Sequence, residues 1–184
     1  MAHYKKLVGE KVYLSPISMD DVETFMHWVN DSEITFALPK HSRIYSLLQE
    51  KEDIEKMARG GNALTIIDKE TNNVIGTCSF MNIDHLNRNA EIGIMIGDKN
   101  YWSQGYGSDA LRLLLNFGFN VRNYHNIYLH VRSFNERAIA CYEKVGFKRQ
   151  GVKRDAIIMG NKKYDNIYMD ILATEYWRLS DGTL

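Results

Sequence analysis

The order of patterned segments after Ala90 constrains the fold most strongly. Residues 90–97, AEIGIMIG, form an almost continuous apolar run interrupted by one charge, Glu91. Such a run suits a strand buried on both faces. Beyond a loop, Leu111, Leu114, Leu115 and Gly118 of SDALRLLLNFGFNV recur at helical spacing. NIYLHV then reads as the next strand and NERAIACYEKV as the next helix. A strand that returns to its sheet through a helix lies parallel to its predecessor, so the sheet is expected to hold a parallel pair in its middle.

Upstream, KVYLSPIS alternates like a strand and leads into a helical MDDVETFMHWVND with Ser18 as the expected N-cap. SRIYSLLQEKEDIEKMARGG predicts a second helix, closed by Gly60 and Gly61. ALTIIDKETNNVIGTCSFMNID predicts two strands joined by a turn around Thr71–Asn73. Downstream, GFKRQGVKRDAIIMGNKKYDNIYMDIL reads as a long hairpin turning near Gly160 and Asn161. With no linker, repeat or low-complexity stretch, the expectation is a single mixed α/β domain (an α+β mixed sheet) over residues 1–184.

Composition narrows the function classes. The chain has 184 residues, 45% hydrophobic and 25% charged, the profile of an ordinary globular domain. Lys+Arg and Asp+Glu each number 23, which argues against nucleic-acid and membrane-surface partners, since both need a basic face. No apolar run reaches membrane-spanning length, and MAHYKKLVGEKVYL lacks the apolar core of a signal peptide. Cys78 and Cys141 stand far apart, so a reducing, cytoplasmic location is the expectation. The six histidines make no HExxH or paired helical spacing, and no metal site is expected.

The strongest local signal is YWSQGYGSDAL, residues 101–111. Gly105 and Gly107 lie where a loop enters a helix, where backbone N–H groups lack partners and the helix dipole is positive. Glycine lets an anion approach that backbone. A pyrophosphate cradle and an ordinary helix start capped by Ser108 both fit. No Gly-Lys-Ser/Thr follows, which excludes a Walker loop. Gly105, Gly107 and Ala110 also match the dinucleotide fingerprint, but the strand NIYLHVRS carries Arg132 where that motif needs an acid.

Taken together, EIGIMIGDKNYWSQGYGSDAL and NERAIACYEKVGFKRQG resemble the two signatures of the Gcn5-related N-acetyltransferase (GNAT) superfamily. The tail MGNKKYDNIYMDIL is similar to the branch holding ribosomal-protein N-terminal and spermidine acetyltransferases. The resemblance spans nearly the whole chain. It implies the acyl-CoA N-acyltransferase fold, with a splayed central parallel strand pair, and acetyl-CoA as co-substrate. It implies that pantetheine lies along Ile94, Met95 and Ile96, and that the backbone from Gln104 through Gly105, Tyr106 and Gly107 to Ser108 cradles pyrophosphate. Asn135 matches the residue that reaches the pantetheine arm. Trp102 stands in the coenzyme loop where the family usually has Arg or Gln. A homodimer is the family's habit.

Acetyl transfer to an amine needs a neutral nucleophile, a donor for the oxyanion and a proton or hydrogen bond for the thiolate. A backbone N–H near Met95 suits the second need. Ala138, Cys141, Tyr142 and Val145 share one helical face, so spacing alone makes Tyr142 a core tyrosine. The resemblance implies that it is the general acid. Glu91 is the candidate base, although an exposed strand-start carboxylate fits it equally. Cys141 reads as a buried inert thiol. On the acceptor side, Phe25, Trp28 and Phe36 fit either a peptide-binding wall or helix packing, and Tyr164 and Asp165 either touch an acceptor or serve the hairpin. Acids Asp20, Asp21, Glu23, Asp31, Glu33, Glu50, Glu52, Asp53 and Glu55 read mainly as solvated helix faces. The acceptor expected is a small amine or a peptide N-terminus; the alternative is a silent acetyl-CoA-binding sensor.

Overall fold

Residues 3–38 and 41–180 are described by the computed structural model. Two compact units divide the chain: one runs up to Phe80 and takes in Ile94–Leu113, and the other holds Met81–Gly93 and the chain from Leu114.

In the first unit, β1 (Leu7–Val8), β2 (Val12–Pro16) and β3 (Ala63–Asp68) form an antiparallel meander continued by β4 (Val74–Asp84). The β3–β4 turn falls at the expected Thr71–Asn73, where Asn72 adopts φ 59° and the Asp68 carboxylate accepts from the Thr71 hydroxyl. Asparagine tolerates that left-handed conformation better than most side chains.

Helices α1 (Val22–Val29), the short α2 (Ser32–Thr35) and α3 (Leu47–Gly60) supply the rest of this core. Phe25, Trp28, Ile34 and Ile54 bury against Ile17, Val22 and Ala63. Ser18 caps a single 3-10 turn ahead of α1, accepting from Asp20 N–H. The second helix begins at Leu47, later than the sequence pattern implied, because the Ser46 hydroxyl accepts from Gln49 N–H and sets the start. Its end falls where expected, with Gly61 left-handed at φ 64°.

Phe25 and Trp28 are core residues, whereas Phe36 is exposed. The Trp28 ring occupies the space beside Gly97, where a β-carbon would sit 2.0 Å from Trp28 Cδ2. Gly97→Ala should therefore destabilise the fold by about 1–3 kcal/mol, through displacement of the indole. Urea unfolding measures this; an unchanged midpoint would mean that the ring moves without cost.

In the second unit, β5 (Asn89–Ile96, shared with the first unit), β6 (Asn126–Arg132), β8 (Lys162–Leu172) and β7 (Lys148–Met159) lie side by side in that order. The pair β5–β6 is parallel and the rest of this group antiparallel, as the strand–helix–strand pattern required. The hairpin turns at Gly160, φ 60°.

Two expectations need correction. Only Ala90–Ile92 of β5 is fully buried, and burial falls off from Gly93, just past the last β5–β6 pair. On α5 (Glu136–Lys144) the buried stripe is Ile139 and Tyr142 with Val145 beyond it, while Ala138 and Cys141 are half-buried. A helix packed along that stripe leaves its i−1 neighbours at the margin.

Helix α4 (Tyr106–Asn116) passes from one unit to the other and buries Leu111, Leu114 and Leu115 completely. The helical pattern read through Gly118 ends in a π-helical stretch at Phe117–Val121, and a last helix, α6 (Ala173–Ser180), had no counterpart in the sequence reading. Tyr176 packs on Phe119, and the Trp177 indole donates to Asn120 Oδ1 at 2.9 Å.

Candidate active site

The glycine loop and its surroundings lie in the first unit. The first α4 bond runs from Asp109 N–H to the Gly105 carbonyl, so Gly105 is the capping residue and Ser108 sits inside the first turn. Ser108 is therefore not the N-cap that the ordinary-helix-start alternative placed there. N–H groups of a first turn have no carbonyl four residues back to bond. Gly105 adopts φ 89°, and a β-carbon there would meet only Lys11 Cε at 3.9 Å. An open, glycine-lined helix start of this kind fits an anion.

Two further features shape this loop. The Trp102 indole donates to the Ile96 carbonyl at 2.8 Å and packs on the α1–α3 core. Its side chain therefore braces the loop against β5 from within. Lys11 lies beside the loop with its ammonium 5.0 Å from the Tyr106 ring centroid. Sequence reasoning missed Lys11, which enters from the β1–β2 turn. What holds that turn is Asp109: its buried carboxylate accepts from Glu10, Lys11 and Val12 N–H at 3.3, 2.8 and 3.0 Å. Gly9 makes room for it, since a β-carbon there would lie 2.5 Å from Asp109 Oδ2. Met95 packs on the same core as Trp102, and Gln104 donates to the Asn100 carbonyl.

Glu91, Asn135 and Tyr142 lie in the second unit. Glu91 is the third residue of β5 and only 6% exposed, which overturns its reading as an exposed strand-start acid. Asn82 Nδ2 donates to Glu91 Oε2 at 2.6 Å, and His130 Nδ1 lies 2.7 Å from Oε1. Asn82 itself is held at φ 44°. Neither Asn82 nor His130 was singled out in the sequence. The β5–β6 ladder comprises Asn89–Asn126, Ala90–Ile127 and Glu91–Tyr128, while β6 runs on to Arg132. Burial, helped by the Glu91 and Asp84 carboxylates, raises the Tyr128 phenol above its usual value.

Tyr142 is buried, edge-on to Phe147 at 5.9 Å, with no hydrogen bond from its hydroxyl among the described residues. Burial first, and Cys141 second, push its phenol well above the ordinary range. Asn135 caps α5, its Oδ1 accepting from Ala138 N–H at 3.2 Å, which leaves the amide NH2 to donate elsewhere. Cys141 is half-buried rather than buried. The buried thiol is Cys78, pushed up to about 12 by desolvation.

Tyr164 stacks edge-on with Phe134 at 4.7 Å, and the Asp165 carboxylate accepts from Asp155 N–H at 2.9 Å. The first ties the hairpin to the β6–α5 connection, and the second ties its two strands together. Of the helix acids, Asp21 and Glu50 are buried, the former against His3, and so depart from the solvated reading. Glu55 pairs with Arg59, and Asp31 and Glu33 both pair with Lys99.

A sequence model of the acetyltransferase (GNAT) domain matches residues 11–148. The chain belongs to that family. This acetyltransferase is 29% identical over 175 residues to the uncharacterized N-acetyltransferase p20 of Bacillus licheniformis, across 92% of its own length and 97% of the relative's. It is 28% identical over 116 residues to a spermidine N(1)-acetyltransferase of Vibrio cholerae, covering 63% and 66% of the two chains. Among solved structures, the Vibrio cholerae spermidine N-acetyltransferase in complex with CoA and spermine aligns with TM-score 0.81 at 24% identity, over 91% of this chain and 98% of that one. That likeness establishes the mixed-sheet fold with the parallel β5–β6 pair. No helix among the described residues is long and apolar enough to cross a membrane.

Proposed function

We propose that residues 1–184 form one domain that moves the acetyl group of acetyl-CoA to a primary amine, by direct attack in a ternary complex. The observation that carries this reading is the β5–β6 ladder, which stops after three pairs while β6 continues. A parallel pair that opens midway exposes backbone N–H and C=O groups for an inserted chain, as pantetheine would be.

The residues present fit that co-substrate. Gln104 to Ser108 and the α4 dipole receive pyrophosphate, with Lys11 adding a cation beside Gly105. Ile94 and Met95 offer backbone to pantetheine, Ile96 contributing less because its carbonyl is taken by Trp102. In the second unit, Asn135 keeps an NH2 free to donate, as its implied role toward pantetheine needs. The N–H near Met95 stabilises the oxyanion. Tyr142 donates to the departing sulfur, and Glu91 belongs to the proton-accepting side.

The acceptor class is a polyamine-like small molecule or a peptide N-terminus. Similarity to a spermidine acetyltransferase supports the former. Two free cysteines accord with a cytoplasmic setting. Thiol release from acetyl-CoA, run against polyamines, aminoglycosides and short peptides with free N-termini, tests this reading. Release with one pool is expected and names the acceptor class. Acetyl-CoA binding with no release in any pool would replace the enzyme by a sensor, and no binding would remove the reading altogether.

A further inference from the structure

The Glu91 carboxylate is nearly sealed from solvent, and both its oxygens are committed, Oε2 to Asn82 and Oε1 to His130. A carboxylate so placed is poorly able to reach an incoming ammonium itself. His130 is different. Its side chain is 35% exposed, and Nε2 has no partner among the described residues. Because Nδ1 faces a carboxylate acceptor, the neutral ring carries its proton on Nδ1 and its lone pair on Nε2. That is the tautomer a base needs.

The supports of this pair are specific. Glu91 lies in the last β5–β6 pair, opposite Tyr128, and His130 follows two residues later on β6, on the same face of the strand as Tyr128 and beyond the end of the ladder. The Tyr168 ring on β8 packs beside the imidazole, centroids 5.9 Å apart. Asn82, which orients Glu91, holds a left-handed backbone, a cost of the kind that functional sites retain. Facing groups that carry or can carry charge are Glu91 on β5 and Tyr168 on β8, with Tyr128 on the same face of β6 and Asp84 on β4 acting on that phenol.

We propose that His130 is the residue that takes the proton from the acceptor ammonium, and that Glu91 positions its ring and balances the charge it gains. This rests on the acetyl-transfer reading above. His130 Nε2 accepts one proton from R–NH3+, leaving R–NH2 and an imidazolium against the Glu91 carboxylate. The amine lone pair then forms the N–C bond as the C=O π pair moves onto oxygen, and the return of that pair expels sulfur with the C–S electron pair. The amine's second proton passes by way of solvent to the sulfur, to which the Tyr142 hydroxyl donates a hydrogen bond, and the proton on His130 passes to solvent. The products are R–NHAc, HSCoA and H+.

The test uses the full chain and the amine pool that supports wild-type thiol release. His130→Ala should lower kcat about 100-fold with acetyl-CoA affinity unchanged and a lower thermal midpoint, because the buried Glu91 carboxylate loses a partner, and added imidazole should restore part of the rate. Glu91→Gln should lower kcat with little change in the KM for acetyl-CoA. A His130→Ala variant with wild-type kcat, or one with low kcat that imidazole does not raise, overturns the assignment while acetyl transfer stands. Wild-type protein silent with every amine overturns the acetyl-transfer reading itself, and this assignment with it.

Discussion

Tyr142→Phe is expected to lower kcat about 100-fold or more and to leave acetyl-CoA affinity unchanged. General acid assistance by a positioned side chain is worth a factor of that order or greater. The substitution deletes one oxygen and keeps the ring that packs on Phe147 and the stripe shared with Ile139 and Val145. Stability should therefore hold, and the effect should fall on chemistry alone. The sign of the pH dependence follows from burial, the larger cause, with Cys141 adding to it. A phenol whose pKa is raised stays protonated to higher pH than a free tyrosine. Wild-type kcat should accordingly show no loss from Tyr142 ionisation up to about pH 10, where a free phenol titrates. In the proposed mechanism, so weak an acid would serve the thiolate mainly by donating a hydrogen bond. Steady-state kinetics at neutral and alkaline pH check this, and full kcat in the variant at both would exclude Tyr142 as the acid.

Asp109→Ala should cost about 2–4 kcal/mol of stability. Its carboxylate is buried and serves three backbone N–H groups of the β1–β2 turn. Val12 is completely buried, so its N–H would lose the Asp109 acceptor with no water to replace it, whereas Glu10 and Lys11 are exposed enough to recover water. Asp109→Asn keeps one acceptor oxygen and should lose less. Urea unfolding with an unchanged slope measures both. A loss below about 1 kcal/mol in the alanine variant would mean that the turn finds other partners.

These two residues differ in how visible they are from the sequence. Tyr142 belongs to a compact signature, NERAIACYEKVGF, in which helical spacing already turns it inward. Asp109 looks like a first-turn acid favourable to the helix dipole, and nothing near it names a partner 98 residues away. The same contrast runs through the acid–base groups. Glu91 was visible as a charge in an apolar strand, yet its two partners, Asn82 and His130, were not. Lys11 was likewise hidden until the β1–β2 turn was seen to lie against α4.

The amino-acid pattern alone carried the order of the main strands and helices from β2 to β8, the parallel β5–β6 pair, the helix end at Gly61 and the turns at Asn72 and Gly160. Those features depend on periodicity and on backbone angles that a few residue types tolerate, and both are local properties. The tertiary structure alone decided that Glu91 is buried and paired to His130, that Trp102 turns into the core and that Lys11 stands beside Gly105. Each of these is set by which strands become neighbours and in what register. A shift of one residue in that register would put every side chain of a strand on the opposite face, and no stretch of sequence fixes it alone.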